Sequence, residues 1–114
     1  MEGAKPLNYL FICYANEHRS RTAEEVCKRM AKERNLAIET SSAGVSLGAN
    51  KPLTKEMVNQ ADIIFVMEKY MQQEIEDEYG GSAKKIVCFN IPDIYPRHDP
   101  ELVRILETEL EEYL

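Results

Sequence analysis

The chain has 114 residues, 44% of them hydrophobic and 30% charged, which is the size and balance of one folded domain spanning 1–114 and excludes a disordered polymer. Its formal net charge of -6 excludes nonspecific attachment to nucleic acid or to an anionic membrane, since both need a basic surface. Any anion it recognises must therefore be held by a local positive site.

In chain order, "NYLFIC" (Asn8 to Cys13) is a short apolar run rich in strand formers, suited to burial on both faces. From about Ser20 to Arg34, Ala23, Val26, Cys27, Met30 and Ala31 recur at helical spacing between charged residues. "LAIETSSAG" (Leu36 to Gly44) reads as a second strand, followed by a Gly/Ser/Asn/Pro loop to Pro52. A short helix is predicted from an N-cap at Thr54, turning Met57 and Val58 inward.

"DIIFVM" (Asp62 to Met67) is a third, buried strand, and Glu68 to Tyr79 a helix that buries Met71, Ile75 and Tyr79 and stops at Gly80-Gly81. "KKIVCFN" (Lys84 to Asn90) is a fourth strand. After the loop "IPDIYPRH", Asp99 caps a last helix with Pro100 at its first position and Leu102, Ile105, Leu106, Leu110 and Tyr113 as its apolar stripe. Its acidic end, "ETELEEYL", reads as a solvated face.

None of these runs approaches the ~20 residues needed to cross a bilayer. The start "MEGAKPLNYL" lacks a basic head, a long apolar stretch and a cleavage site, so export is not expected. Three cysteines without a C-x-x-C pair predict neither a disulfide framework nor a zinc site, and two isolated histidines add no metal site. A reducing cytoplasm is the expected setting, with the thiol of Cys13 free for chemistry.

Strands alternating with helices predict a three-layer α/β fold, a parallel sheet with helices on both faces. Ligands bind such sheets beyond the carboxyl ends of the strands, where strand order reverses. Cys13 ends the first strand. In "CYANEHRS" the loop runs into a helix N-terminus, so its N–H groups can converge on one anion, aided by the helix dipole. Arg19 supplies a fork of donors matched to two oxygens of a tetrahedral oxyanion, and Asn16 can brace a tight backbone. The same positive surroundings favour a thiolate, so a single nest serves both to bind phosphate and to ionise the group that attacks it.

"LFICYANEHRSRTAEEV", "SSAG" at Ser41 to Gly44, "ADIIFVM" and "IPDIY" at Ile91 to Tyr95 together resemble the low-molecular-weight protein tyrosine phosphatases, especially their short microbial branch. The resemblance runs from about Tyr9 to the C-terminus. It implies a four-stranded parallel sheet and a phosphocysteine mechanism with no metal and no organic cofactor. It makes Cys13 the nucleophile, Arg19 the phosphate clamp and Asp93 the acid that protonates the leaving group and then activates water. It makes Asn16 the loop organiser, Ser20 a donor to the sulfur and Tyr95 an aromatic wall, with Tyr14, Ala15, Glu17 and His18 completing the anion loop. The implied partner is a phosphorylated protein or a small aryl phosphate, with phosphate or a similar oxyanion in the loop.

This chain departs from the family pattern at Ala15, usually Gly, at His18, often a second cysteine, at Arg21, usually Pro, and at Ile94, usually Pro. The 44–61 segment is also shorter than in the longer members, and Glu17 adds a negative charge at the mouth. Asp99 competes with Asp93 as the acid, although its place before Pro100 favours capping. Two other functions fit the same loop. One is an arsenate reductase, which needs resolving cysteines that Cys27 and Cys88 are poorly placed to supply. The other is a phosphate-binding module without turnover.

Overall fold

The computed structural model describes residues 5–80 and 85–114. Its elements are β1 (Leu7–Cys13), α1 (Arg19–Glu33), β2 (Ile38–Gly44), α2 (Lys55–Gln60), β3 (Ile63–Val66), α3 (Lys69–Tyr79), β4 (Lys85–Cys88) and α4 (Pro100–Leu110), closed by a 3₁₀ turn, Glu111–Tyr113. The strands form one four-stranded sheet in the order β2-β1-β3-β4, and every pair is parallel. The expected three-layer α/β architecture is therefore the one observed. Gly81, expected to help stop the third helix, and Lys84, expected to open the fourth strand, lie outside the described residues, as do residues 1–4.

The inner strands are continuous apolar runs because both their faces are covered. Leu10, Phe11 and Ile12 in β1 and Ile64, Phe65 and Val66 in β3 are essentially inaccessible to solvent. On one face Phe65 stacks on Phe11, with ring centroids 4.9 Å apart, and meets Tyr9, Phe89 and Tyr113 at 5.1–5.2 Å. The Tyr9 hydroxyl donates to the Tyr113 carbonyl at 2.6 Å and ties the last turn to the sheet. α1 and α4 pack together through Ala23, Val26, Cys27 and Met30 and through Leu102, Leu106 and Leu110. Met71 and Ile75 of α3 and Val58 of α2 are buried in the same core.

Two expectations shift. β2 begins at Ile38 and not at Leu36, because the end of α1 takes Leu36. Asn35 adopts a left-handed φ of 55°, its N–H donates to the Lys32 carbonyl, and the Leu36 N–H donates to the Ala31 carbonyl. That is a Schellman closure with Asn in the place of Gly. The acidic C-terminal stretch is also more than a solvated face, since Glu107 of α4 pairs with Arg29 of α1 at 2.6 Å and Glu111 of the 3₁₀ turn with Arg34, the cap of α1, at 2.8 Å.

The strand order decides where a site can form. β1 sends its connection toward β2 on one side, whereas β3 leads to β4 on the other. The carboxyl ends of β1 and β3 therefore open a crevice between diverging connections. Cys13 stands at that point.

Candidate active site

Residues 14–18 link the last residue of β1 to the first turn of α1. Asn16 sits in the left-handed region with φ 56°, a conformation Asn tolerates better than most side chains. This turns its backbone N–H onto Cys13 Sγ at 3.2 Å. The Asn16 amide Nδ2 donates to Ser20 Oγ at 2.8 Å, which leaves the Ser20 hydroxyl proton for Sγ, 2.9 Å away. Cys13, Asn16, Arg19 and Ser20 are each no more than 3% exposed.

The loop carbonyls are engaged from outside. Those of Cys13, Tyr14 and Ala15 accept the N–H groups of Val45, Ser46 and Asn50, each at 3.0 Å, and that of Asn16 accepts the Asn50 side-chain amide at 3.3 Å. The N–H groups of Tyr14, Ala15, Glu17 and His18 donate to no group among the described residues, so donors of this strand-to-helix loop are left free. Gly44 makes the approach of the bracing segment possible. A Cβ there would lie 2.5 Å from the Tyr14 carbonyl oxygen and 2.9 Å from the Asn16 nitrogen.

Arg19 is gripped along one edge. Its Nη1 donates to Glu68 Oε2 and to the Ile91 carbonyl, both at 2.7 Å. Its Nε is buried with no hydrogen-bond partner among the described residues, and Asp93 Oδ1 stands 3.6 Å from it. A buried donor left unpaired is costly, and a bound oxyanion would remove that cost. Glu68 was missed by sequence reasoning, which treated it only as the start of a helix. The available signal was its position immediately after the buried run of β3, at the same crevice as Cys13.

Asp93 lies on the loop between β4 and α4, its side chain more than half exposed. Tyr95 is half-buried, whereas Tyr14, Glu17, His18 and Ile94 are exposed and Ala15 is partly covered. His18 precedes α1 without capping it through its side chain. Asp99 Oδ1 accepts the N–H groups of Glu101 and Leu102 at 2.8 and 3.3 Å and so is engaged as a helix cap. Ser42 donates to Glu24 at 2.6 Å, joining β2 to α1 beside the loop. Cys27 is fully buried, and that burial pushes its thiol up to about 12. A cleft of about 330 Å³ between residues 45–53 and α3 contains none of the Cys13 loop residues and lies apart from this arrangement.

The family described as "Low molecular weight phosphotyrosine protein phosphatase" matches residues 8–52, which cover β1, the loop, α1, β2 and most of the bracing segment. The chain is 26% identical over 102 residues to the protein-arginine-phosphatase of Bacillus subtilis (strain 168), spanning 70% of this chain and 68% of that protein. Its fold superposes on a protein tyrosine phosphatase from Entamoeba histolytica with a TM-score of 0.81 at 23% identity, covering 94% of this chain and 92% of the other. It superposes on the tyrosine phosphatase Wzb from Escherichia coli K30, solved with phosphate, with a TM-score of 0.75 at 22% identity, covering 93% and 94%. Residues 8–52 are thus matched in sequence to the low-molecular-weight phosphotyrosine protein phosphatases, and the chain shares the fold of these solved phosphatases.

Proposed function

We propose that the protein hydrolyses phosphotyrosine or other aryl phosphate monoesters through a phosphocysteine, with Cys13 as nucleophile, Arg19 as clamp and Asp93 as acid and base. The observation that carries this reading is the pairing of a sulfur that receives hydrogen bonds from Asn16 and Ser20 with the unpartnered Nε edge of Arg19. The oxyanion sits in the free loop N–H groups, and two of its oxygens meet the open edge of the guanidinium. Cys13 Sγ attacks phosphorus as the ester P–O bond breaks, and the Asp93 carboxyl gives its proton to the departing oxygen. Water then attacks the phosphocysteine, Asp93 takes a proton from it, and the sulfur leaves with its charge stabilised by the Ser20 hydroxyl. Glu68 and the Ile91 carbonyl hold Arg19 in place throughout, so that the clamp is formed before substrate arrives.

Arsenate reduction is the weaker alternative, because Cys27 is buried and kept protonated while the Cys88 thiol is turned toward Asn90. The test is release of nitrophenol from p-nitrophenyl phosphate in the presence of chelator. Turnover is expected from the wild type and is abolished in Cys13→Ser, while Asp93→Asn is slowed by roughly 10²–10³-fold. Unchanged turnover in Cys13→Ser would sink the proposal.

A second reading is supported by the arginine phosphatase among the relatives and by the exposed Glu17 and Asp93 carboxylates beside the loop. Two negative groups at the mouth suit a phosphate borne on a cationic guanidinium. Phosphoarginine and phosphotyrosine peptides of the same sequence separate the two: higher kcat/KM on the former, falling in Glu17→Ile, establishes the second reading.

A further inference from the structure

The loop that carries Asp93 is hydrogen-bonded to α1 at both of its ends, and between them Tyr95 packs against the core. At one end the Ile91 carbonyl accepts from Arg19. At the other, the His98 N–H donates to Thr22 Oγ1 at 3.1 Å, and that hydroxyl donates in turn to the His18 carbonyl at 2.7 Å. One helical step further along, Glu25 grips two adjacent residues: Oε2 accepts from Arg97 Nη2 at 2.5 Å, and Oε1 meets His98 Nε2. Thr22 and Glu25, three residues apart, share one face of α1, and this face meets residues 97 and 98.

The stretch from Pro92 to Tyr95 makes no hydrogen bond to any other described residue, and the one charged contact of Asp93 is the 3.6 Å approach to Arg19 Nε. The position of Asp93 is therefore set by the packing of Tyr95 and by what fixes the ends of its loop. His98 has a left-handed φ of 66°, a conformation that a residue with a side chain adopts when its neighbours hold it there. Burial raises the Glu25 carboxyl, but its bonds to Arg97 and His98 outweigh burial and hold it below the usual carboxylate range. The grip is thus made by an ionised Glu25 at neutral pH.

We infer that Glu25, through Arg97 and His98, is a positioning residue for Asp93, aligning it with the leaving-group oxygen. This rests on the assignment of Asp93 as the acid. Proton donation matters most when the departing oxygen is a poor leaving group, so loss of the grip should be felt unequally across substrates. A residue that merely stabilised the fold would lower turnover of all of them alike.

The experiment measures kcat/KM for a series of aryl phosphates, from p-nitrophenyl phosphate as the best leaving group to phenyl phosphate as the poorest. The chains compared are the wild type, Glu25→Ala, Glu25→Gln, His98→Asn and Asp93→Asn, with inorganic phosphate as competitive inhibitor. For Glu25→Ala the expected loss is roughly 3- to 10-fold on phenyl phosphate and under about 2-fold on p-nitrophenyl phosphate, with phosphate inhibition unchanged. Glu25→Gln, which keeps the acceptor oxygen, is expected to fall between, and His98→Asn, which tolerates the left-handed backbone, to follow Glu25→Ala in part. Equal loss on all substrates, or none while Asp93→Asn steepens the series, overturns the role of Glu25 and leaves Asp93 standing. A flat series in Asp93→Asn overturns the acid assignment itself.

Discussion

Single atoms decide whether the anion loop can exist. The loop is closed on the outside by Val45, Ser46 and Asn50, and it can be closed only because residue 44 has no side chain. A methyl group at that position meets backbone atoms at 2.5 and 2.9 Å, together with the Ala49 Cβ at 2.7 Å, and none of these is the yielding end of a long side chain. Gly44→Ala is therefore expected to cost roughly 1–3 kcal/mol of stability by overpacking. It should also cut phosphatase activity more than tenfold by displacing Tyr14 and Asn16. Chemical denaturation and p-nitrophenyl phosphate turnover together check this, and an active, fully stable variant would contradict the bracing role. Arg19 is subject to similar constraint. Its burial is tolerable because Glu68 and a backbone carbonyl satisfy Nη1, while Nε has no partner among the described residues and is the edge proposed for the phosphate.

At the scale of elements, helix ends separate the two aspartates that compete for the acid role. Asp99 uses one carboxylate oxygen for two N–H groups at the start of α4, whereas Asp93 caps no helix and lies 3.6 Å from Arg19 Nε. Asp99→Ala is expected to destabilise the protein by about 1 kcal/mol, a fall of several degrees in the unfolding midpoint, with kcat close to wild type. A large drop in kcat at unchanged stability would reverse the assignment. Caps also explain why β2 begins later than its alternating pattern does. Asn35 ends α1 in a left-handed turn that takes Leu36 with it, so a segment that alternates like a strand is first used to close a helix.

For the whole molecule, the core that supports the site also sets its alkaline limit. Burial pushes the Cys27 thiol up to about 12, and burial raises the Tyr9 hydroxyl as well. A thiol in the unfolded chain ionises near 8.5. Below that value Cys27 is protonated in both states and its contribution to stability is complete. Between about 8.5 and 12 only the unfolded chain loses the proton, so stability falls with rising pH, by about 2 kcal/mol at pH 10 from this group alone. Urea unfolding from pH 7 to pH 10 should show a steeper decline in wild type than in Cys27→Ala. Parallel declines would show that this thiol is not the cause.

Much of this was legible along the chain. The continuous apolar runs specified strands covered on both faces, the 3.6-residue spacing specified the stripes of α1, α3 and α4, and Thr54, Asp99 and Pro100 marked where helices begin. These signals are local, because each depends on neighbours a few residues away. The loop from Cys13 to Ser20 was visible for the same reason. What no local pattern contained was the company this loop keeps. Glu68 reaches Arg19 across 49 residues, Asn50 reaches the Asn16 carbonyl across 34, and Glu25 holds Arg97 across 72. Those partners are chosen by strand order, which brings the ends of β1 and β3 and the loop after β4 to one crevice. Burial of Arg19 there is possible only because the fold delivers its acceptors from distant segments. A single sequence records the charges but not which of them will meet.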